Sequence, residues 1–272
     1  MRGLKKEQNF QSEEHFHDDW AKSVSVDEID ACAPFTGKTS PEYKAAVTML
    51  GNVNKKKILI LGCGLGEEAV YLALQGAKVT AIDISKGMLV ATKKLAKKYK
   101  IEKKIIYKQM DAEKLLYTKE SFDYVFGCNI LHHIHLQKGL KEIKRVLKKK
   151  GVGVFSEPLA YNPLINMYRV MASKVRTDHE HPLKTEDLQT IQTFFPHMQH
   201  TEFQLCTLFI FVWFYIGERL HPNKIRYWKK IIIEADKYQS LFTVLYTLDN
   251  LLLRTLPYLR KYCWVTVIKV EK

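Results

Sequence analysis

Ile58-Leu59-Ile60-Leu61-Gly62-Cys63-Gly64-Leu65-Gly66-Glu67-Glu68 is the stretch that decides the fold. Four consecutive apolar residues behind Lys55-Lys56-Lys57 suit a strand covered on both faces, as in the interior of a parallel sheet. The glycines let the backbone turn sharply and approach a ligand closely. Glu67 to Gln75 then reads as a helix that Gly76 ends. Such a unit sets a helix N-terminus at the carboxyl end of a strand, where open α/β sheets bind ligands. A dinucleotide fold wants G-x-G-x-x-G, but Glu67 stands where its third glycine would fall, and Glu68 follows. Two carboxylates there oppose a pyrophosphate and suit a ligand carrying positive charge. No G-x-x-x-x-G-K-[ST] is present, which excludes a P-loop.

Outward from this turn, strand and helix patterns alternate. Val79 to Ile82, Ile105 to Lys108, Tyr124 to Gly127 and Val152 to Phe155 read as strands. Between them, Ser85 can cap a helix running to about Tyr99, and Leu136 to Leu147 has helical periodicity. The alternation predicts an α/β, doubly wound, mostly parallel sheet with helices on both faces. Upstream, Met1 to Phe35 reads as a polar arm, and Ser40-Pro41 opens a helix that Gly51 stops. Downstream, the expectations are a short helix over Asn162 to Ala172, a polar loop over Arg176 to Pro182, and a helix from Thr185 through Phe194. Glu202 to Phe209 is strand-like, Asn223 to Leu259 forms one or two amphipathic helices, and Trp264 to Val270 is a last strand.

Bulk composition narrows the class. The length of 272 residues suits one α/β domain with additions. No run reaches the roughly 18 apolar residues that cross a bilayer. The N-terminal residues have no apolar stretch of signal-peptide type, so a soluble cytoplasmic protein is expected. Cys32, Cys63, Cys128, Cys206 and Cys263 form no C-x-x-C pair, which fits neither a disulfide framework nor a structural zinc site. The net charge of +14 favours anionic partners in principle, but lysines such as Lys93, Lys94, Lys97, Lys98 and Lys100 read as one solvated helix face.

Two acids carry the argument further. Asp83 follows the second strand, about where an acidic side chain accepts from ribose hydroxyls. Asp111, in Met110-Asp111-Ala112-Glu113, follows the third and could accept from an adenine amino group. Either could instead cap a helix or turn. The ordered set, each member at the carboxyl end of a successive strand, is more specific than its parts.

With these residues in hand, the chain resembles the class I S-adenosylmethionine (SAM)-dependent methyltransferases, in the branch acting on small molecules and lipids. The resemblance rests on Gly62, Gly64 and Gly66, on Asp83 and Asp111, on Phe122-Asp123 through Asn129-Ile130-Leu131-His132-His133, and on the Gly151 turn. It covers about Lys55 to Glu157. It implies SAM as cofactor, held by Gly62, Cys63, Gly64, Gly66, Asp83, Ile84, Met88, Met110, Asp111, Ala112, Asn129 and Leu131. Asn129 and Leu131 would lie near the methionine end, Ile84 and Met88 against the adenosine. It further implies a Rossmann-like seven-stranded sheet whose last strand runs antiparallel beside the fifth. Residues 1–40 would be an arm or cofactor lid, with Phe16 to Ala21 closing over the cofactor. Residues 41–272 would be the methyltransferase domain, with a substrate-side loop at 159–183 and a helical insertion at 217–259.

In-line methyl transfer needs alignment and exclusion of water, and an oxygen nucleophile of high pKa also needs a general base. His133 is the preferred base, because the fourth-strand exit faces the reacting centre in the family; packing alone is the other reading. Glu157 is a second candidate, or else a structural hydrogen-bond partner. No metal is expected, since His179, His181 and the first histidine cluster lack a recognised zinc spacing. Arg169 and Arg176 could clamp a carboxylate or phosphate, or simply form surface ion pairs. Phe209 to Tyr215 could roof an apolar pocket or simply pack. Lys224, Arg226, Lys229 and Lys230, with Tyr227 and Trp228, could lie on an anionic membrane surface or form the polar face of an ordinary amphipathic helix. Together these favour an apolar, lipid-like or quinone-like small-molecule acceptor, with peripheral membrane contact. An RNA or protein methyltransferase and a non-enzymatic SAM-binding protein are the alternatives. Nucleic acid is not an expected partner: Asn129-Ile130-Leu131-His132 stands where amino-directed DNA and RNA enzymes carry [DNS]-P-P-[YF]. A nicotinamide oxidoreductase is disfavoured by Glu67.

Overall fold

In chain order the elements are α1 (Arg2–Ser23), α2 (Ala33–Thr36), α3 (Pro41–Leu50), β1 (Lys57–Leu61), α4 (Glu67–Leu74), β2 (Lys78–Asp83), α5 (Lys86–Lys98), β3 (Ile105–Gln109) and β4 (Phe122–Cys128). Then come α6 (Leu136–Val146), β5 (Leu147–Pro158), α7 (Pro163–Met171), α8 (Thr185–Phe194), β6 (Gln199–Phe203), α9 (Phe209–Ile216), α10 (Tyr227–Ile233), α11 (Ala235–Thr255) and β7 (Val265–Glu271). The computed structural model describes residues 2–177 and 180–272.

One seven-stranded sheet has the order β3-β2-β1-β4-β5-β7-β6. Strands β1 to β5 pair in parallel, while β7 runs antiparallel to both β5 and β6. The chain winds outward from β1 to β3, then returns to start again at β4. The crevice between β1 and β4 is therefore the topological switch point. Alternation along the strands divides the core. Ile58, Ile60, Val79 and Ala81 pack with Val70, Ala73 and Leu95 from α4 and α5. Leu59, Leu61 and Ile82 pack on the other side with Leu140, Ile143 and Ile191 from α6 and α8. A third core, with Ile165, Phe211, Phe214, Tyr227 and Phe242, ties α7, α9, α10 and α11 together.

Several local signals act as the sequence predicts. Ser85 Oγ accepts from Met88 N at 3.0 Å and caps α5. Asn162 Oδ1 accepts from Leu164 N at 2.9 Å and caps α7, with Pro163 in the first turn. The lysines of α5 are exposed. Some expectations differ. The arm is a helix for most of its length, α1, seated on α5 by Asp18, whose Oδ1 accepts from Gly87 N at 2.8 Å. Ser40 Oγ bonds Pro34 O rather than capping α3. The strand expected over 202–209 lies at Gln199–Phe203, because Asp249 captures the amides of Leu205, Cys206 and Thr207 and turns the chain out of the sheet. Phe209 to Tyr215 is helical. Its Ile210, Phe211 and Phe214 pack in the third core.

Candidate active site

A cavity of about 970 Å³ opens at the carboxyl ends of β1 and β4. The glycine turn forms one wall. Gly62, Gly64 and Gly66 have φ of 61°, 50° and 100°, in the region that favours glycine. A Cβ on Gly62 would come within 2.9 Å of Ile130 Cδ1, and one on Gly66 within 2.8 Å of Thr92 Cα. Above Gly64 nothing lies within 4 Å, so its bare Cα leaves open space. Asp83 accepts from Gly64 N at 3.0 Å and from Ser85 N at 2.9 Å. Burial raises its pKa, partly offset by those amides. Asp111 accepts from Glu113 N at 2.7 Å. Both acids thus take up the turn-capping role and still face the cavity.

Of the residues expected around a cofactor, Gly62, Cys63, Gly64, Asp83, Ile84, Met110, Asp111, Ala112 and Asn129 line this cavity. The other three stand behind it. Gly66 backs onto Thr92, Met88 is buried with Leu65 and Ala91 under α1, and the Leu131 side chain packs in the core beneath α6.

The β4 exit supplies the chemistry. Glu157 is fully buried; its Oε1 accepts from the amides of Ile130 and Leu131, each at 2.9 Å, and its Oε2 meets His132 Nδ1 at 2.7 Å. Both of its oxygens are thus engaged, one on the exit backbone and one on the imidazole. Burial, then the neighbouring His133, lower the pKa of His132 against the pull of Glu157. For His133 burial acts the same way, but Glu13 outweighs it and the pKa rises. Two adjacent imidazoles are thus pushed apart in proton affinity, a pattern that separates base from acid.

Glu13 and His17, one turn apart on α1, hang into the cavity; His17 belongs to the Phe16 to Ala21 segment expected to close over the cofactor, while Glu13 is not among the expected site residues. Glu13 Oε2 lies 3.3 Å from His133 Nδ1 and 3.5 Å from His17 Nε2. The donor atoms of all three residues lie within 4.8 Å of one another, a spacing that a divalent ion could bridge. Despite its burial, the pKa of Glu13 is lowered by the two histidines, as in a charged ion-pair cluster. The i, i+4 spacing on a helix was the available signal, hidden because the arm was not read as helical. His181 also lines the cavity, whereas His179 lies outside the described residues.

The basic residues before and within α10 turn inward rather than forming an outer face. Arg226 stacks on Trp20 of α1, its Cζ 3.9 Å from the ring centre. Lys229 pairs with Glu67 at 3.2 Å, and Lys230 is held by Glu218 and Glu234. Lys224 alone of the four is exposed. Arg169 and Arg176 both line the cavity; Phe209 to Tyr215 do not.

Strand order, glycine turn and rim acids define a class, and a family described as a methyltransferase domain matches residues 59–155. Over that segment the chain is similar to the class I SAM-dependent methyltransferases. The demethylmenaquinone methyltransferase of Lactobacillus johnsonii is 36% identical over 114 residues, covering 40% of this chain and 47% of that protein. The ubiquinone biosynthesis O-methyltransferase of Alkalilimnicola ehrlichii is 28% identical over 158 residues, covering 57% and 63%. The solved phosphoethanolamine N-methyltransferase 2 of Haemonchus contortus, in complex with S-adenosyl-L-methionine, is 19% identical with a TM-score of 0.55, covering 84% of this chain and 51% of that one, a likeness of fold. The chain spans about half the length of the first curated relatives it matches.

Proposed function

We propose that the chain is an enzyme that transfers the methyl group of SAM to a hydroxyl of a small acceptor, apolar over much of its surface like a lipid or quinone, with His132 as the base. The observation that carries this reading is the Glu157–His132 dyad, whose imidazole lines the same cavity as Gly64, Asp83 and Asp111 while the carboxylate stands buried behind it. The quinone methyltransferases among its relatives support the acceptor class.

Bound SAM supplies a methyl group on a positively charged sulfur. The open space above Gly64 admits a ligand against the turn. Asp83 and Asp111 hold backbone amides yet keep lone pairs free for ribose and adenine. Glu67 and Glu68 suit a cationic ligand: burial, with Glu67 beside it, pushes Glu68 up to about 7, and an arriving cation would favour its ionised form. Cys63, Ile84, Met110, Ala112 and Asn129 complete the walls. Gly66, Met88 and Leu131 act from behind by shaping the turn and the floor.

With Nδ1–H donated to Glu157, His132 keeps a lone pair on Nε2. Its lowered pKa leaves it neutral at neutral pH, as a base must be. His133, with its raised pKa, is the poorer base and contributes charge instead. The reaction so written calls for no metal. Residues 1–40 serve as the lid, 41–272 as the catalytic body, and 159–183 and 217–259 as the acceptor side. Arg169 and Ile165 from the first of these segments and Arg226 and Ile231 from the second support that division.

Tritiated SAM incubated with the protein and a cell extract, followed by mass spectrometry of labelled products, tests the reading. Label on a small apolar molecule is expected. Label on RNA or protein alone would favour those acceptors. No label anywhere, with no heat on titrating SAM or its demethylated product, would overturn the assignment.

We also infer a cytoplasmic protein that touches a membrane surface. No described helix is long and apolar enough to cross one. The support is an exposed stripe on α11, Leu241, Val244, Leu248 and Leu251. Failure to float with either neutral or anionic vesicles would remove that part.

A further inference from the structure

Three arginines from three segments line the cavity: Arg169 in α7, Arg176 just beyond it, and Arg226 before α10. Arg176 depresses the proton affinity of Arg169, and Tyr168 responds to both Arg226 and Arg176. Glu180 acts on Arg169, Arg226, His132 and His133, which ties the group to the β4 exit.

The described partners do not neutralise them. Arg176 Nε donates to Glu180 Oε2 at 2.7 Å. Arg169 donates to Asn166 Oδ1 at 2.7 Å and to Leu159 O at 2.9 Å. Arg226 donates to Val175 O at 2.9 Å and rests on the Trp20 ring. Among the described residues, neither Arg169 nor Arg226 has a carboxylate within ion-pair distance. Among the described residues, three half-buried guanidinium groups therefore share one carboxylate on the cavity wall. Burial pulls Arg169 down to about 10 and lowers Arg226 as well. Unpaired charge is costly to bury. Neutral oxygens and an aromatic face orient a guanidinium, leaving its charge and remaining N–H groups to a ligand.

We propose that Arg169, Arg176 and Arg226 form a subsite for an anionic group, a phosphate or carboxylate, on the methyl acceptor. The acceptor is then an amphiphile, its apolar part against Ile165, Ile231 and Trp264, its anion held by the arginines. Assigning the anion to the acceptor rests on the methyltransferase reading; the binding of an anion does not.

The test uses the full chain saturated with S-adenosylhomocysteine. Phenyl phosphate, benzoate and benzyl alcohol are titrated in by calorimetry. The two anions should bind at least about ten-fold more tightly than the neutral alcohol, and their ranking distinguishes phosphate from carboxylate. Arg169→Gln and Arg226→Gln should each weaken anion binding about ten-fold or more. Glu180→Gln, which frees Arg176, should tighten it, a gain that misfolding cannot produce. Equal binding of the alcohol, or no change in the arginine variants, overturns the proposal. So does competition between S-adenosylhomocysteine and the anions, because the arginines would then serve the cofactor's own carboxylate. If S-adenosylhomocysteine does not bind while the anions do, the subsite stands and the methyltransferase reading falls.

Discussion

Glu157 Oε2 holds His132 Nδ1 at 2.7 Å, with both side chains buried. An imidazole anchored on one nitrogen by a carboxylate offers the other as a base. We expect His132→Gln to lower kcat by roughly 10²- to 10⁴-fold while binding of S-adenosylhomocysteine stays nearly unchanged. The rate should fall as pH drops through the folded pKa of His132, which lies below its ordinary 6.5. His133→Gln removes a neighbouring charge that depresses His132, so this acid limb should move to higher pH. Rate–pH profiles of the three proteins check this; full activity in His132→Gln would dismiss His132 as the base.

Gly64 and Gly66 should fail differently. Both have positive φ, so alanine costs about 1 kcal/mol at either from backbone strain alone. At Gly64 the added methyl enters open space in the cavity, so Gly64→Ala should melt close to the parent but bind S-adenosylhomocysteine much more weakly. At Gly66 the methyl meets the Thr92 backbone at 2.8 Å, and the melting temperature itself should drop. Thermal melts beside calorimetry separate the two; equal behaviour would mean that the space over Gly64 is not the ligand's.

Asp249 is almost wholly buried on α11 and accepts from Leu205 N at 3.1 Å and Thr207 Oγ1 at 3.0 Å, and from the amides of Cys206 and Thr207. Asp249→Ala leaves those donors buried without a partner, at about 1–3 kcal/mol for each that stays unsatisfied. A loss of about 3 kcal/mol or more in chemical denaturation is expected. A loss under about 1 kcal/mol would mean that water replaces the carboxylate.

Sequence made the half of the site built from local chemistry legible. The glycine turn after β1, Asp83 after β2 and Asp111 after β3 each depend on neighbours in the chain, and all reach the cavity. What stayed hidden depends on distant partners. Which of His132 and His133 is anchored was decided by Glu157, twenty-five positions away, and by Glu13 on α1. The polar helix α1 has little apolar face of its own and is seated through Asp18 at the start of α5. Arg226 and Lys229 were read as an outward face because nothing nearby in sequence announces Trp20 and Glu67 as their partners.

The Glu13–His133 contact should make the docking of α1 depend on pH. The folded pKa of Glu13 is lowered below its ordinary 4.5, so its contribution is present above 4.5 and is lost as pH falls through the lowered value. The folded pKa of His133 is raised above its ordinary 6.5, so its contribution is complete below 6.5 and is lost as pH rises through the raised value. Both act in full between 4.5 and 6.5, and α1 should hold most firmly there. Limited proteolysis of α1 across pH reads this directly: cleavage should quicken on the alkaline side, and Glu13→Gln should flatten that rise. Dialysis against a chelator should leave the profile unchanged, because proton charge rather than a bound ion holds the cluster. If chelation released α1 and zinc restored it, Glu13, His17 and His133 would be metal ligands and the ion-pair account would be wrong.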